Sequence, residues 1–160
     1  MESVRIAVVS DTHGDIKQAV HALNRLLPLD FILHLGDYVG DGVELEKKIG
    51  VQVIGVKGNC DFTSKLPEDR LIEVADKKIF MTHGHHYDVK WNQQRLFYKG
   101  LEMNADIILF GHSHVPVHFE ADGVLVINPG STSHPRGNSE KSCALLEVGK
   151  NIKAELLILA

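Results

Sequence analysis

Five short, mostly apolar runs in this chain each stop at a glycine flanked by aspartate, histidine or asparagine. That repetition limits the fold more than any other feature. Run 4–9 leads into Ser10-Asp11-Thr12-His13-Gly14, and run 31–35 into Gly36-Asp37. Run 51–56 leads into Lys57-Gly58-Asn59-Cys60-Asp61, run 78–82 into His83-Gly84-His85, and run 107–110 into Gly111-His112-Ser113-His114. Short apolar runs bounded by turns read as strands buried on both faces. In α/β sheets such strands carry sites at their carboxyl ends. Glycine there lets backbone approach closely and adopt conformations other residues resist. The five turns are therefore expected to converge on one small cavity.

The segments between the runs set the fold class. Asp15 is expected to cap a helix reaching residue 27, with Ile16, Ala19, Val20, Leu23, Leu26 and Leu27 on one stripe and Pro28 at its end. A second helix is expected over 43–49, closed by Gly50, and a third over 89–103. Segments 70–74 and 78–82 read as a hairpin about Ala75-Asp76-Lys77. Segments 115–120 and 124–127 form another about Ala121-Asp122-Gly123, and 144–148 with 152–159 a last pair meeting at Gly149-Lys150-Asn151. Helices alternating with early strands, then a β-rich remainder, predict an α/β layered domain. Two sheets packed face to face with helices outside fit this order, and a single mixed sheet fits it nearly as well.

Composition removes several function classes. A chain of 160 residues suits one domain over 1–160, and 44% apolar with 24% charged residues excludes a disordered chain. No apolar run approaches the roughly 18 residues of a membrane helix. The opening MESVRIAVVS lacks the parts of a secretory signal. A formal charge of -4 weighs against a non-specific nucleic-acid binder and leaves a small phosphorylated substrate open. Two cysteines, Cys60 and Cys143, are too few for a disulfide framework, so a reduced, cytoplasmic protein is expected. Cys143 reads as a buried apolar filler.

The residues at the strand ends match a metal site. Imidazole nitrogen with carboxylate or amide oxygen suits manganese, iron, cobalt, nickel or zinc. The absence of paired cysteines argues against a structural zinc cage. Taken singly, each motif is an ordinary turn. Together they supply two aspartates, one asparagine and at least four histidines, more than one ion needs. A carboxylate can bridge two ions, and ions roughly 3.5–4 Å apart clamp both oxygens of a phosphoryl transfer.

Asp-x-His, Gly-Asp, Gly-Asn-x-Asp, Gly-His and Gly-His-x-His, in this order, resemble the signature of the calcineurin-like metallophosphoesterases. The short length, Asn128-Pro129-Gly130-Ser131 and Pro135-Arg136 look like the small YfcE-type phosphodiesterases of bacteria and archaea. The resemblance implies a four-layer α/β/β/α sandwich of two mixed sheets flanked by helices. It implies Asp11, His13 and His114 at a first metal, Asn59, His83 and His112 at a second, and Asp37 bridging the two. The nucleophile would be a water or hydroxide between the ions, with no covalent enzyme intermediate. Two divalent ions are implied, with manganese first and nickel, iron, cobalt or zinc as alternatives. Catalytic roles fall to Asp37, Asn59, Cys60 and His85, and substrate contacts to Asn59, His85 and Arg136. Asn128 reads equally as a residue supporting the site and as part of an ordinary Asn-Pro-Gly-Ser turn.

One position departs from many relatives, which carry histidine where this chain has Cys60. A thiol, with an ordinary pKa of about 8.5, imitates imidazolium poorly, so substrates with good leaving groups should suffer least. The change also leaves Asp61 without the histidine that it would orient in relatives. Formal charges point to the substrate class. Two divalent ions, two aspartates and one hydroxide leave a core of about +1, which a diester monoanion neutralises. A small phosphodiester or nucleotide-like substrate follows. The alternatives are a catalytically weak scaffold or binding protein on the same fold, a monoesterase, and a nuclease. Nucleic-acid polymers and membranes are not expected partners, and self-association as a dimer or tetramer is.

Overall fold

A computed structural model of the chain describes residues 3–159. One sheet comprises β1 (Val4–Val9), β2 (Phe31–His34), β3 (Val53–Gly55), β9 (Ser142–Val148) and β10 (Ile152–Ile158), in the order β10-β9-β1-β2-β3. The other comprises β4 (Asp69–Val74), β5 (Lys77–Thr82), β6 (Ile107–Leu109), β7 (Val117–Ala121) and β8 (Val124–Asn128), in the order β4-β5-β6-β8-β7. Within the first sheet β1, β2 and β3 run parallel, and within the second β5, β6 and β8 do. The remaining pairings are antiparallel. Of the two arrangements the sequence allows, the chain adopts two stacked sheets.

The alternation of side chains along each strand explains why the apolar runs are unbroken. Ile6 and Val8 of β1, Leu33 of β2, Ile79 and Met81 of β5, and Ile107 and Leu109 of β6 fill one core between the sheets. Ala7, Val9 and Ile32 turn the other way. They pack against Ala19 and Leu23 of α1 (Lys17–Leu26) and Leu45 of α2 (Val39–Ile49). Phe80, Ile108 and Phe110 turn outward on the second sheet against Leu96 of α3 (Gln94–Glu102). Three cores therefore separate four layers, as the α/β/β/α reading expects. Cys143 is fully buried among the residues under α1 and α2, as expected of a filler, and burial pushes its thiol up to about 12.

Helix boundaries differ from the sequence reading for local reasons. Asp15 does not occupy the cap of α1. Ile16 does, and the Asp15 carboxylate accepts the Lys17 amide at 3.3 Å from one residue further out. Helix α2 begins at Val39 rather than 43, because Asp61 accepts the Tyr38 and Val39 amides at 2.7 and 3.0 Å. Its first turn is thus capped by a side chain distant in sequence. Gly50, at φ 79°, ends it as expected. Helix α3 begins at Gln94 rather than 89. Asp88 sits at φ 54°, and His85–Tyr87 form a short 3-10 turn before it. The hairpin between β4 and β5 turns on Ala75 and Asp76, both with positive φ.

Candidate metal centre

All the parallel strands deliver their carboxyl ends to one edge of the sandwich. There β1 supplies Asp11 and His13, β2 supplies Asp37, and β3 supplies Asn59. Strand β5 supplies His83, and β6 supplies His112 and His114. Nε2 of His13 lies 3.3 Å from Nε2 of His114, 3.4 Å from Asp37 Oδ2 and 3.9 Å from Asp11 Oδ1. Nε2 of His114 is 3.3 Å from Asp11 Oδ1. Nε2 of His83 lies 3.1 Å from Asn59 Oδ1, 3.2 Å from His112 Nδ1 and 3.4 Å from Asp37 Oδ2. The seven expected ligands converge in two clusters, and Asp37 Oδ2 sits at the same 3.4 Å from a histidine of each.

The hydrogen bonds around this set leave lone pairs facing one another. Nδ1 of His83 donates to the Leu35 carbonyl at 2.7 Å, and Nδ1 of His114 to the His134 carbonyl at 2.6 Å. A carbonyl only accepts, so Nδ1 carries a proton in each ring and Nε2 is the nitrogen turned inward. Asp11 Oδ2 is occupied by the Ser10 hydroxyl and the His112 amide, whereas Oδ1 is buried with no hydrogen-bond partner among the described residues. Asp37 Oδ1 accepts the Cys60 amide at 3.0 Å, leaving Oδ2 for the interior. A buried group of acceptors without donors is unfavourable unless a cation or protons lie among them. The donor set and the orphaned Asp11 oxygen fit divalent cations.

The titration behaviour follows the same electrostatics. Burial would raise Asp11, but contact with His114 and the charges on His83 and His114 outweigh it and hold the carboxyl below its ordinary range. Burial likewise opposes ionisation of Asp37, and the His83 contact with the Cys60 amide holds it far below that range. Burial would lower His83, but the Asp37 and Asp11 carboxylates raise it. His13 is lowered by burial, and His112 falls to about 4 through burial and the neighbouring His83 charge.

Backbone conformation marks the site independently. Asp11, His13, Asp37, His112 and His114 all have positive φ, between 47° and 69°. Such residues cost about 1–3 kcal/mol each and cluster where function requires them. Two glycines admit the close approach. A Cβ at Gly58 would run into Asp37 Oδ1, and one at Gly111 into the Ser10 hydroxyl and Asp11 Oδ2.

The residues outside the cluster divide clearly. His85 stands beside it, with its ring 5.5 Å from that of His83 and 6.2 Å from that of His112, and burial lowers its pKa. Cys60 is exposed at the rim, and partial burial with the Asp37 carboxylate pushes its thiol up. Arg136 is exposed, tied to the site through its amide, which donates to the His114 carbonyl at 3.2 Å. Asn128 donates to the Gly111 carbonyl and the Ser113 hydroxyl, bracing the loop bearing His112 and His114, while its Oδ1 accepts the Gly130 amide of its own turn, so both readings of it hold.

Several supporting residues act through contacts that the sequence did not show. Asp61 accepts the amides of Asp37, Tyr38, Val39 and Gly58 and so shapes the loop that presents Asp37. Ser131 and Ser133 donate to the Asp11 and Thr12 carbonyls. Asp69 accepts the Thr82 and Tyr87 hydroxyls at 2.6 and 2.5 Å, clamping both ends of the turn that carries His83 and His85. Asp61, the last residue of Gly-Asn-x-Asp, and Ser131, within Asn-Pro-Gly-Ser, lay in motifs that flagged them, whereas Ser133 and Asp69 did not.

Known proteins share this arrangement of chain and fold. YsnB, a probable metallophosphoesterase of Bacillus subtilis, is 33% identical over 144 residues, covering 89% of this chain and 83% of its own. MJ0936, a phosphodiesterase of Methanocaldococcus jannaschii, is 32% identical over 145 residues, covering 79% of this chain and 83% of its own. The crystal structure of a predicted phosphoesterase from Streptococcus pneumoniae aligns with a TM-score of 0.84 at 35% identity, over 99% of this chain and 91% of that one. Residues 4–151 match the calcineurin-like phosphoesterase superfamily domain, and the chain belongs to that family.

Proposed function

We propose that the chain is a phosphodiesterase whose seven converging side chains hold two divalent ions. Asp11, His13 and His114 would take the first, Asn59, His83 and His112 the second, and Asp37 both. The observation that carries this reading is the convergence of imidazole nitrogens and carboxylate and amide oxygens at the edge of the sheets, with Asp37 Oδ2 shared between its halves and the buried Asp11 Oδ1 left without a hydrogen-bond partner among the described residues. Divalent ions in such a site supply Lewis acidity toward a phosphoryl oxygen and acidify a water.

The chain's own residues supply the rest. Leu35 and His134 carbonyls hold Nδ1 of His83 and His114, so Nε2 of each ring faces the cluster. His85 beside the cluster and Arg136, two residues past His134, would serve as donors to phosphate oxygens. The raised pKa of Cys60 keeps its proton at neutral pH, so the thiol serves as a weak donor rather than a nucleophile. The small net charge of a loaded core favours a diester monoanion over a monoester dianion.

Manganese is the ion we favour, residues 1–160 are read as one domain, and the reduced cytoplasm is its proposed compartment. No helix among the described residues is long and apolar enough to cross a membrane. Self-association belongs to the same proposal and is read by light scattering.

The test loads purified protein with manganese and compares bis(p-nitrophenyl) phosphate with p-nitrophenyl phosphate. The reading expects diester hydrolysis that a chelator abolishes and metal restores, with the diester cleaved faster. Asp37→Ala should lose both activity and bound metal. Full metal content and activity in that variant, or metal-independent turnover, would contradict it.

A further inference from the structure

Tyr38 and Phe62 are large aromatic residues that the fold leaves open to solvent, 47% and 88% exposed. They line one groove of about 340 Å³, shared with Asp41, Cys60, Thr63 and Ser64. Its walls are continuous with the metal centre. Tyr38 directly follows Asp37, and Cys60 directly follows Asn59. The Tyr38 ring also lies 5.1 Å from that of His13. A substrate whose phosphorus sits among the seven converging side chains therefore has this groove beside it.

The groove's chemistry narrows what fits. No lysine or arginine lines it, and two carboxylates, those of Asp41 and Asp61, do. A second phosphate would meet negative charge there. A neutral group with a flat π-face and hydroxyls would meet two aromatic surfaces, the Asp41 carboxylate and the hydroxyls of Thr63 and Ser64. Base stacking on aromatic side chains tolerates any base, because every base presents a π-face. Trp91 and Tyr98 are exposed singly elsewhere, whereas Tyr38 and Phe62 share one groove beside the candidate centre.

We propose that this groove is the subsite for the neutral nucleoside portion of a nucleotide phosphodiester, with Tyr38 and Phe62 as its stacking surfaces. The inference rests on the phosphodiesterase reading and narrows its substrate class. One alcohol of the diester is a nucleoside held in the groove.

The test uses two diesters with the same leaving group and charge, thymidine 5′-(p-nitrophenyl) phosphate and methyl p-nitrophenyl phosphate. Values of kcat/KM are measured on the manganese-loaded full chain. The thymidine ester should be preferred by about ten-fold, the order of one base–aromatic stack. Phe62→Ala should bring the ratio toward one, and Phe62→Trp should keep it. Phe62 is exposed, so neither variant disturbs a core. Equal kcat/KM for the two esters, or a preference that Phe62→Ala leaves intact, would overturn the subsite alone. Turnover of neither ester would refute the phosphodiesterase reading and the subsite with it.

Discussion

Replacing Asp61 by asparagine should destabilise this protein strongly, although Asp61 is not itself one of the seven candidate ligands. The carboxylate accepts four backbone amides, with Oδ2 taking those of Asp37 and Gly58 at 2.9 and 2.8 Å and Oδ1 those of Tyr38 and Val39 at 2.7 and 3.0 Å. Asp61 is buried, so water does not readily replace it. Asparagine keeps one acceptor oxygen and turns an NH₂ toward the other pair of amides. Two hydrogen bonds to a charged acceptor are then lost, each contributing about 1.5–3 kcal/mol, for a total of roughly 3–6 kcal/mol. At about 2–4 °C per kcal/mol for a domain of this size, Tm should fall by roughly 6–24 °C. The assay is thermal unfolding followed by circular dichroism in excess chelator, so that loss of metal adds nothing. A chelated Asp61→Asn protein melting within about 2 °C of the wild type would show that these amides do not depend on the carboxylate.

Metal affinity should rise with pH through the neutral range. His13 and His112 are lowered by burial and already neutral there, whereas His83 is raised by Asp37 and Asp11 and must surrender a proton to bind an ion. Below the raised His83 pKa proton and metal compete, and above it affinity levels off. Calorimetric titration with manganese at pH 5.5 and 7.5 checks this, and equal affinities would contradict it. Tyr87→Phe removes one charge-assisted bond from the Asp69 clamp, at a cost of about 1.5–3 kcal/mol in urea unfolding. It should also weaken metal binding through the loosened His83 turn, and unchanged stability would show that the clamp is not formed in solution.

The sheets were legible because their strands are buried on both faces. Unbroken runs such as 107–110 cannot alternate when Ile107 and Leu109 face one core and Ile108 and Phe110 another. The convergence of the seven candidate ligands was legible because they sit at strand ends, where residue type and glycine spacing survive as a pattern. What stayed hidden depends on contacts between distant parts of the chain. The start of α2 is set by Asp61, some twenty residues on, so local propensity placed it too late. The start of α3 was drawn too early because periodicity does not register the left-handed Asp88. The Leu35 and His134 carbonyls that orient two histidines are backbone atoms, which any residue type could supply.

The most direct measurement is anomalous X-ray diffraction from crystals soaked in manganese. Two peaks roughly 3.5–4 Å apart are expected, one among Asp11, His13 and His114 and the other among Asn59, His83 and His112, with Asp37 between them. A single peak, or two peaks that Asp37 does not touch, would contradict the shared centre on which the proposed chemistry stands.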